Sequence, residues 1–283
     1  RRLVEQDEVL LTFGTLGTPS NTAIHKYMNA KKVPHMFLAT GASKWNDPQN
    51  FPWTIGFNPN YHSEGKLYGQ HILATKPNAK IAVLVQNDDY GKDYLNGFKE
   101  GLGAKAASMI VATASYEVTD PTIDSQIVTL KGSGADTFFN ITTPKFAAQA
   151  IRKVDDVGWK PTHYLNQVSA SVGSVLKPAG LDKSVGLISM LYVKDGADAK
   201  WDNDPAMKDY KALLKKYTPE VSPDDANGTY AYASAQMMVH VLKQAGDNLT
   251  RENIMKQAAS IKDLQLPMVL PGVLASTSPA DFA

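Results

Sequence analysis

The chain has 283 residues, 43% of them hydrophobic and 20% charged, with a formal net charge of +1 and no cysteine. That is room for one large domain or two modest ones of ordinary globular composition. It excludes disulfides, thiolate metal sites and a cysteine nucleophile. With no Lys/Arg run, there is no electrostatic basis for binding nucleic acid or an anionic membrane surface. The longest apolar run, Ile81 to Val85, has the length of a strand and not of a membrane span.

Arg1-Arg2-Leu3-Val4-Glu5 reads as the last turns of a helix without a cap, no signal peptide stands at the start, and Thr277 to Ala283 stops within a loop. The sequence is therefore expected to be an internal piece of a longer protein. A strand at Val9–Phe13 breaks into Gly14-Thr15-Leu16-Gly17-Thr18-Pro19-Ser20-Asn21 before a helix from about Asn21 to Lys31. A second strand, Met36–Ala39, breaks into Thr40-Gly41-Ala42-Ser43 and a polar loop. Trp53–Phe57 is a third strand, followed by a helix from about Ser63 to Lys76, and Pro77-Asn78 punctuates the chain.

Ile81–Val85 is continuously apolar, as a parallel strand buried on both faces should be. The helix after it sets Tyr94, Leu95, Phe98 and Leu102 on one face, and strand Met109–Ala114 follows. Ile123, Ile127 and Leu130 mark a helix ending at Gly132, Thr137–Ile141 a strand, and Pro144 a helix start. Phe146, Ala147, Ala150, Ile151 and Val154 form that helix's apolar stripe. Tyr164-Leu165 and Val185–Val193 are read as further strands. Beyond Asp195 come three helices: one from Asp204-Pro205 with Met207, Tyr210, Leu213, Leu214 and Tyr217 on one face, one over about Asn227–Ala245, and one from Thr250.

Strands alternating with helices predict an α/β fold of parallel, doubly wound sheets. The break at Pro77-Asn78 predicts two lobes with a cleft between them: residues 1–77 with 195–283, and residues 78–194. The two strand ends at 14–21 and 40–43 are alike. Glycine lets a ligand approach the backbone, hydroxyls and helix-start N–H groups donate, and ligands of open α/β sheets sit beyond the carboxyl ends of strands. Together they suggest a small anionic group held by neutral donors. Catalytic and nucleotide motifs (a G-x-S-x-G elbow, a phosphate loop, H-E-x-x-H, G-x-G-x-x-G) are absent. The six histidines are scattered and expected at the surface or partly packed. Asp88-Asp89 is expected to cap a helix and not to bind metal, Met237-Met238 to be helix core, and Tyr90 either to cover a ligand or to pack under its loop. No metal or cofactor is expected.

Gly14 to Ser20, Ala39-Thr40-Gly41-Ala42-Ser43, Asn87-Asp88-Asp89-Tyr90-Gly91 and Phe138-Phe139-Asn140-Ile141-Thr142-Thr143-Pro144 occur in this order. As a set, over nearly the whole chain, they resemble the leucine/isoleucine/valine-binding protein family, the type I periplasmic solute-binding proteins of ABC importers. The resemblance implies a two-lobed fold with a hinged cleft, here truncated at both ends. Ligand-binding positions are then expected at Gly17, Thr18, Ser20, Gly41, Ala42 and Ser43, which hold a carboxylate, and at Tyr90, Thr142 and Gln167 of the second lobe. The family's amino-acid members carry a Glu for the ligand ammonium where Gln167 stands, and a Tyr where Thr142 stands. Without that carboxylate an ammonium would be desolvated against neutral groups, at a cost of about a few kcal/mol. The expected ligand is thus a small carboxylate lacking a free α-amine, such as an aromatic acid. A branched-chain amino acid, its ammonium met by another acid such as Asp88, is the alternative. A ligand-sensing domain of a receptor or regulator is a different class that the same fold can serve. The resemblance further implies no catalysis, a membrane permease as partner, no nucleic acid, a monomer, and a periplasmic or lipid-anchored extracellular location.

Overall fold

The structure, a computed structural model, describes residues 1–282. By its contacts the chain forms two compact units, Arg1–Asn60 with Tyr230–Ala283, and Tyr61–Thr229.

The first unit holds a parallel three-stranded sheet, β1 (Thr12–Phe13), β2 (His35–Leu38) and β3 (Thr54–Gly56), in the order β1-β2-β3. All of β2 is buried, as its central position requires. The helix Thr18–Ala30 follows β1 and buries Asn21, His25 and Met28 on one stripe. His25 stacks on Phe51 with ring centroids 3.9 Å apart and meets the edge of Trp45 at 5.0 Å. The expected strand from Val9 pairs only over Thr12–Phe13. Upstream, Glu8 adopts φ 47°, and the Val9 amide turns back to the Leu3 carbonyl at 3.0 Å, so those residues cannot join the sheet. Thr250 caps the helix Arg251–Ala258 as expected, accepting from the Asn253 amide.

The second unit is built on a parallel four-stranded sheet, β4 (Ile81–Gln86), β5 (Ile110–Tyr116), β6 (Thr137–Ile141) and β7 (Thr162–Leu165), in the order β5-β4-β6-β7. The inner strands β4 and β6 are wholly buried, whereas the edge strand β5 alternates. On one face Ile123, Ile127 and Leu130 join Phe138, Phe146 and Trp159 in a continuous core. Asp204 caps the helix Pro205–Tyr217, which buries Met207, Tyr210 and Leu214 but leaves Leu213 and Tyr217 exposed, against expectation. The expected strand Val185–Val193 does not form. It touches β7 through one parallel bridge between Tyr164 and Ile188. Gly186 there has φ 87°, outside strand geometry, and Val185 is 84% exposed, so the apolar run has no sheet face to cover.

The helix Tyr61–Thr75, expected in the first lobe, belongs to the second unit by its contacts. The reason is steric. Gly65 and Gly69 face the helix Asp89–Leu102, whose Gly97 and Gly101 face back. A Cβ at Gly65 would lie 2.2 Å from the Tyr94 carbonyl oxygen, and one at Gly97 would lie 1.9 Å from that of His62. Two small-x-x-x-small ridges bring the helix backbones into direct contact, so the first helix is fixed to the second.

This contact makes a specific prediction. Gly97→Ala should destabilise the fold by about 2 kcal/mol or more, because the added methyl meets backbone that cannot yield. Gly132→Ala, where a Cβ would find nothing within 4 Å, should be neutral or slightly stabilising. Urea denaturation of the two variants checks the contrast.

Candidate functional site

The two loops singled out by sequence meet in the first unit. Leu16 pairs with Ala39 in a parallel bridge, which continues the β1–β2 pairing past the strand ends. Gly17 takes φ 95°, a backbone region that favours glycine, and starts the helix Thr18–Ala30 with Pro19 in its first turn. The Thr18 and Thr40 hydroxyls lie 2.6 Å apart, both buried, and tie one loop to the other. Thr40 Oγ1 also accepts from the indole N–H of Trp45 at 3.2 Å and from the Ala42 amide at 3.4 Å. The Asn21 side chain donates to the carbonyls of Thr15 and Gly17, both at 2.8 Å. Thr15 Oγ1 donates to Asn21 Oδ1 at 2.6 Å, so its contact with His35 Nε2 at 2.7 Å must be donated by the imidazole.

Of the expected residues, Gly17, Thr18, Ser20, Gly41, Ala42 and Ser43 are thus gathered around one helix start. Thr18, Gly41 and Ala42 are buried, Gly17 is half-buried, and Ser20 and Ser43 are exposed. The Ser20 hydroxyl bonds back to the carbonyls of Leu16 and Gly17, at 2.5 and 3.1 Å. The Thr18 and Ser20 hydroxyls are thus engaged internally, whereas the first amides of a helix have no helical acceptor. Lys44, which sequence reasoning left in a polar loop, donates to Thr22 Oγ1 at 2.9 Å and lies over the Trp45 ring. It brings a cation to the same helix end, where an anion is already favoured. Leu16 is 78% exposed at the loop tip.

In the second unit, Tyr90, Thr142 and Gln167 follow β4, β6 and β7, which are neighbours in the sheet. The Tyr90 phenol is buried and donates to the Thr142 carbonyl at 3.2 Å. Asn166 Nδ2 at 2.8 Å and Ser169 Oγ at 2.5 Å converge on the same oxygen. Thr142 Oγ1 donates to Asn140 Oδ1 at 2.6 Å, and the Asn140 amide lies 3.2 Å from His163 Nε2, whose ring burial holds down to about 3. Gln167 differs, because its side-chain Nε2 is buried without a hydrogen-bond partner. Asp88 caps its helix as expected, accepting from the Gly91 amide at 3.1 Å and from Gln86 Nε2 at 2.6 Å. Three of the six histidines, His25, His35 and His163, depart from expectation in being buried, whereas His62, His71 and His240 are partly or fully exposed. Met237 and Met238 are core, and no cluster of potential metal ligands occurs among the described residues.

A residue the sequence reading missed stands beside Gln167. Glu64, in the first turn of the helix Tyr61–Thr75, is buried. Its Oε2 accepts from the Tyr94 hydroxyl at 2.7 Å and its Oε1 from the Gln167 amide at 2.9 Å. Burial raises it to about 7, against the lowering effect of these two bonds. Sequence gives one weak sign of this: Glu64 occupies the helix position just before Gly65, on the ridge that must pack.

The sequence model of the periplasmic binding protein family matches residues 1–279, and the chain belongs to that family. Among solved structures, a branched-chain amino acid ABC transporter protein from Thermus thermophilus with bound valine superposes with TM-score 0.83 at 15% identity, covering 99% of this chain and 74% of that one. A possible leucine/isoleucine/valine-binding protein from Rhodopirellula baltica SH 1 gives 0.79 at 19% identity, covering 99% and 74%. A fatty acid ABC transporter substrate-binding protein from Thermomonospora curvata gives 0.76 at 20% identity, covering 94% and 68%. The α/β parallel-sheet fold is thus that of the type I periplasmic binding proteins, a family of solute-binding proteins. No curated protein matches the chain. No helix among the described residues is long and apolar enough to cross a membrane.

Glu64 also makes stability depend on pH. Its carboxyl has the ordinary value near 4.5 in the unfolded chain and about 7 when folded, so the folded state holds more protons between these values. Its contribution is complete below 4.5 and is lost as pH rises through 7, a loss of order 3 kcal/mol. Glu64→Gln should therefore flatten the fall in stability between pH 5 and 7.5, as read by urea denaturation. An unchanged slope would show that Glu64 is not the group responsible.

Proposed function

We propose that this chain is an extracytoplasmic solute-binding protein that delivers a small carboxylate without a free α-amine, such as an aromatic acid, to an ABC importer. Gly17, Thr18, Ser20, Gly41, Ala42 and Ser43 form the head-group cradle in this reading. Tyr90, Thr142 and Gln167 are its candidates in the second unit. The observation that carries it is the Thr18–Thr40 hydroxyl bond at 2.6 Å, which joins two glycine-containing loops at one helix start. The first amides of the helix and the nearby Lys44 suit an anion. Leu16, exposed beside them, suits an apolar ligand body.

The absence of an amine is argued from the second unit. Gln167 is neutral, and both oxygens of Glu64 are occupied by Tyr94 and Gln167. An ammonium would have to share those oxygens and keep ionised a carboxyl that burial pushes toward neutrality. A branched-chain amino acid is the second reading. It is favoured by the fold shared with the valine-bound Thermus protein and by Glu64 as a carboxyl within hydrogen-bond distance of Gln167. A membrane permease as partner, a periplasmic or lipid-anchored location, a monomeric state and no catalytic activity complete the proposal.

Calorimetric titration separates the two readings. Benzoate-like acids are expected to bind with affinity well above that of leucine or valine. Tight leucine or valine binding with no heat from benzoate would refute the amine-free ligand.

A further inference from the structure

The helix Tyr61–Thr75 reaches the end of β7 at two successive points. Tyr68 donates its hydroxyl to the Leu165 carbonyl at 2.7 Å and accepts from the Met190 amide at 3.0 Å. One turn earlier on the same helix face, Glu64 accepts the Gln167 amide at 2.9 Å. The backbone from Leu165 to Gln167 is thereby clamped to the helix. The side chain carried by that turn presents the buried, partnerless Nε2 of Gln167. A buried donor without a partner is costly unless something meets it.

We propose that Glu64 is a positioning residue for ligand binding: its carboxyl, through the Gln167 amide, sets the turn that aims Gln167 Nε2, so that the proton on Glu64 and occupancy of that turn are linked. This rests on the reading of Gln167 as ligand-facing. The surroundings leave little else to titrate in this range. Tyr61 and Tyr68 on its own helix, and Tyr90 and Tyr94 on the helix opposite, are the ionisable groups around it, and burial raises Tyr68, Tyr90 and Tyr94. The turn Gln167–Ser169 contributes no ionisable group. Lys66 and His62 are engaged with Glu100, at 2.6 and 3.2 Å. Glu64 itself has no cation partner among the described residues.

Linkage fixes the sign. A neutral or anionic ligand seated on the turn removes remaining water and favours the protonated carboxyl, so binding takes up a proton and affinity falls as pH rises through about 7. An ammonium would favour the ionised form and reverse the sign.

The test is a pH titration of the Gln167 backbone amide by 1H–15N NMR, in the wild-type chain and Glu64→Gln, with and without benzoate. The wild-type amide is expected to titrate with a midpoint near 7, and the Glu64→Gln amide to stay flat. Benzoate should move the midpoint up by about half a unit, a threefold loss of affinity across the transition. Should Glu64→Gln not fold, Glu64→Asp serves: withdrawn by one methylene, its carboxyl should no longer titrate the Gln167 amide. An amide that does not titrate, or titrates equally in the variants, overturns the proposal. So does benzoate that binds and leaves the midpoint unmoved, although the proposed ligand class then stands. A titrating amide with no benzoate binding supports the positioning role and defeats the ligand class instead.

Discussion

A methyl group at Gly97 would meet the carbonyl oxygen of His62 at 1.9 Å, and one at Gly101 that of Lys66 at 2.2 Å. This close approach of two helix backbones orders much of the second unit. It binds the helix Tyr61–Thr75 to the helix Asp89–Leu102 and so carries Glu64 under Tyr94 and beside the turn after β7. A carboxyl at this depth exists only because glycine lets the helices touch. Its raised proton affinity follows from burial, and burial follows from the glycines. Packing, electrostatics and the candidate binding turn are one connected consequence of four missing side chains.

The first unit solves a different problem by different means. Two loops leave the carboxyl ends of adjacent parallel strands and must bury polar groups while leaving a helix start accessible. The Thr18–Thr40 hydroxyl pair, the Trp45 indole and the Asn21 side chain satisfy the buried groups internally. In the proposed function, an anionic ligand would meet backbone N–H and the positive end of a helix, with Lys44 nearby.

The sequence revealed the fold where a residue's local role and its burial coincide. Ile81–Val85 and Thr137–Ile141 are apolar throughout and are inner strands; Pro144, Asp204-Pro205 and Thr250 start helices as their chemistry requires. Reading failed where burial depends on a neighbour that sequence does not show. Val185–Val193 has strand composition but pairs with β7 through a single bridge, at Ile188. Gly65, Gly69, Gly97 and Gly101 look like weak helix positions until the opposing backbone is known. The loops 14–20 and 39–43 look alike in sequence, and the structure sets them side by side through the Leu16–Ala39 bridge. Glu64 and Lys44 were not legible, since a charged residue in a helix or loop carries no mark of what it will face.

The central claim is that an anionic head without an accompanying amine is held by the loops at 17–20 and 41–43. A crystal structure of the protein grown with an equimolar mixture of benzoate and valine tests it most directly. The account predicts benzoate, its carboxylate oxygens within hydrogen-bond distance of the amides at the start of the helix Thr18–Ala30, with the Glu64 bonds to Tyr94 and Gln167 intact. Valine bound with its ammonium on Glu64, and the Gln167 amide released, would contradict it.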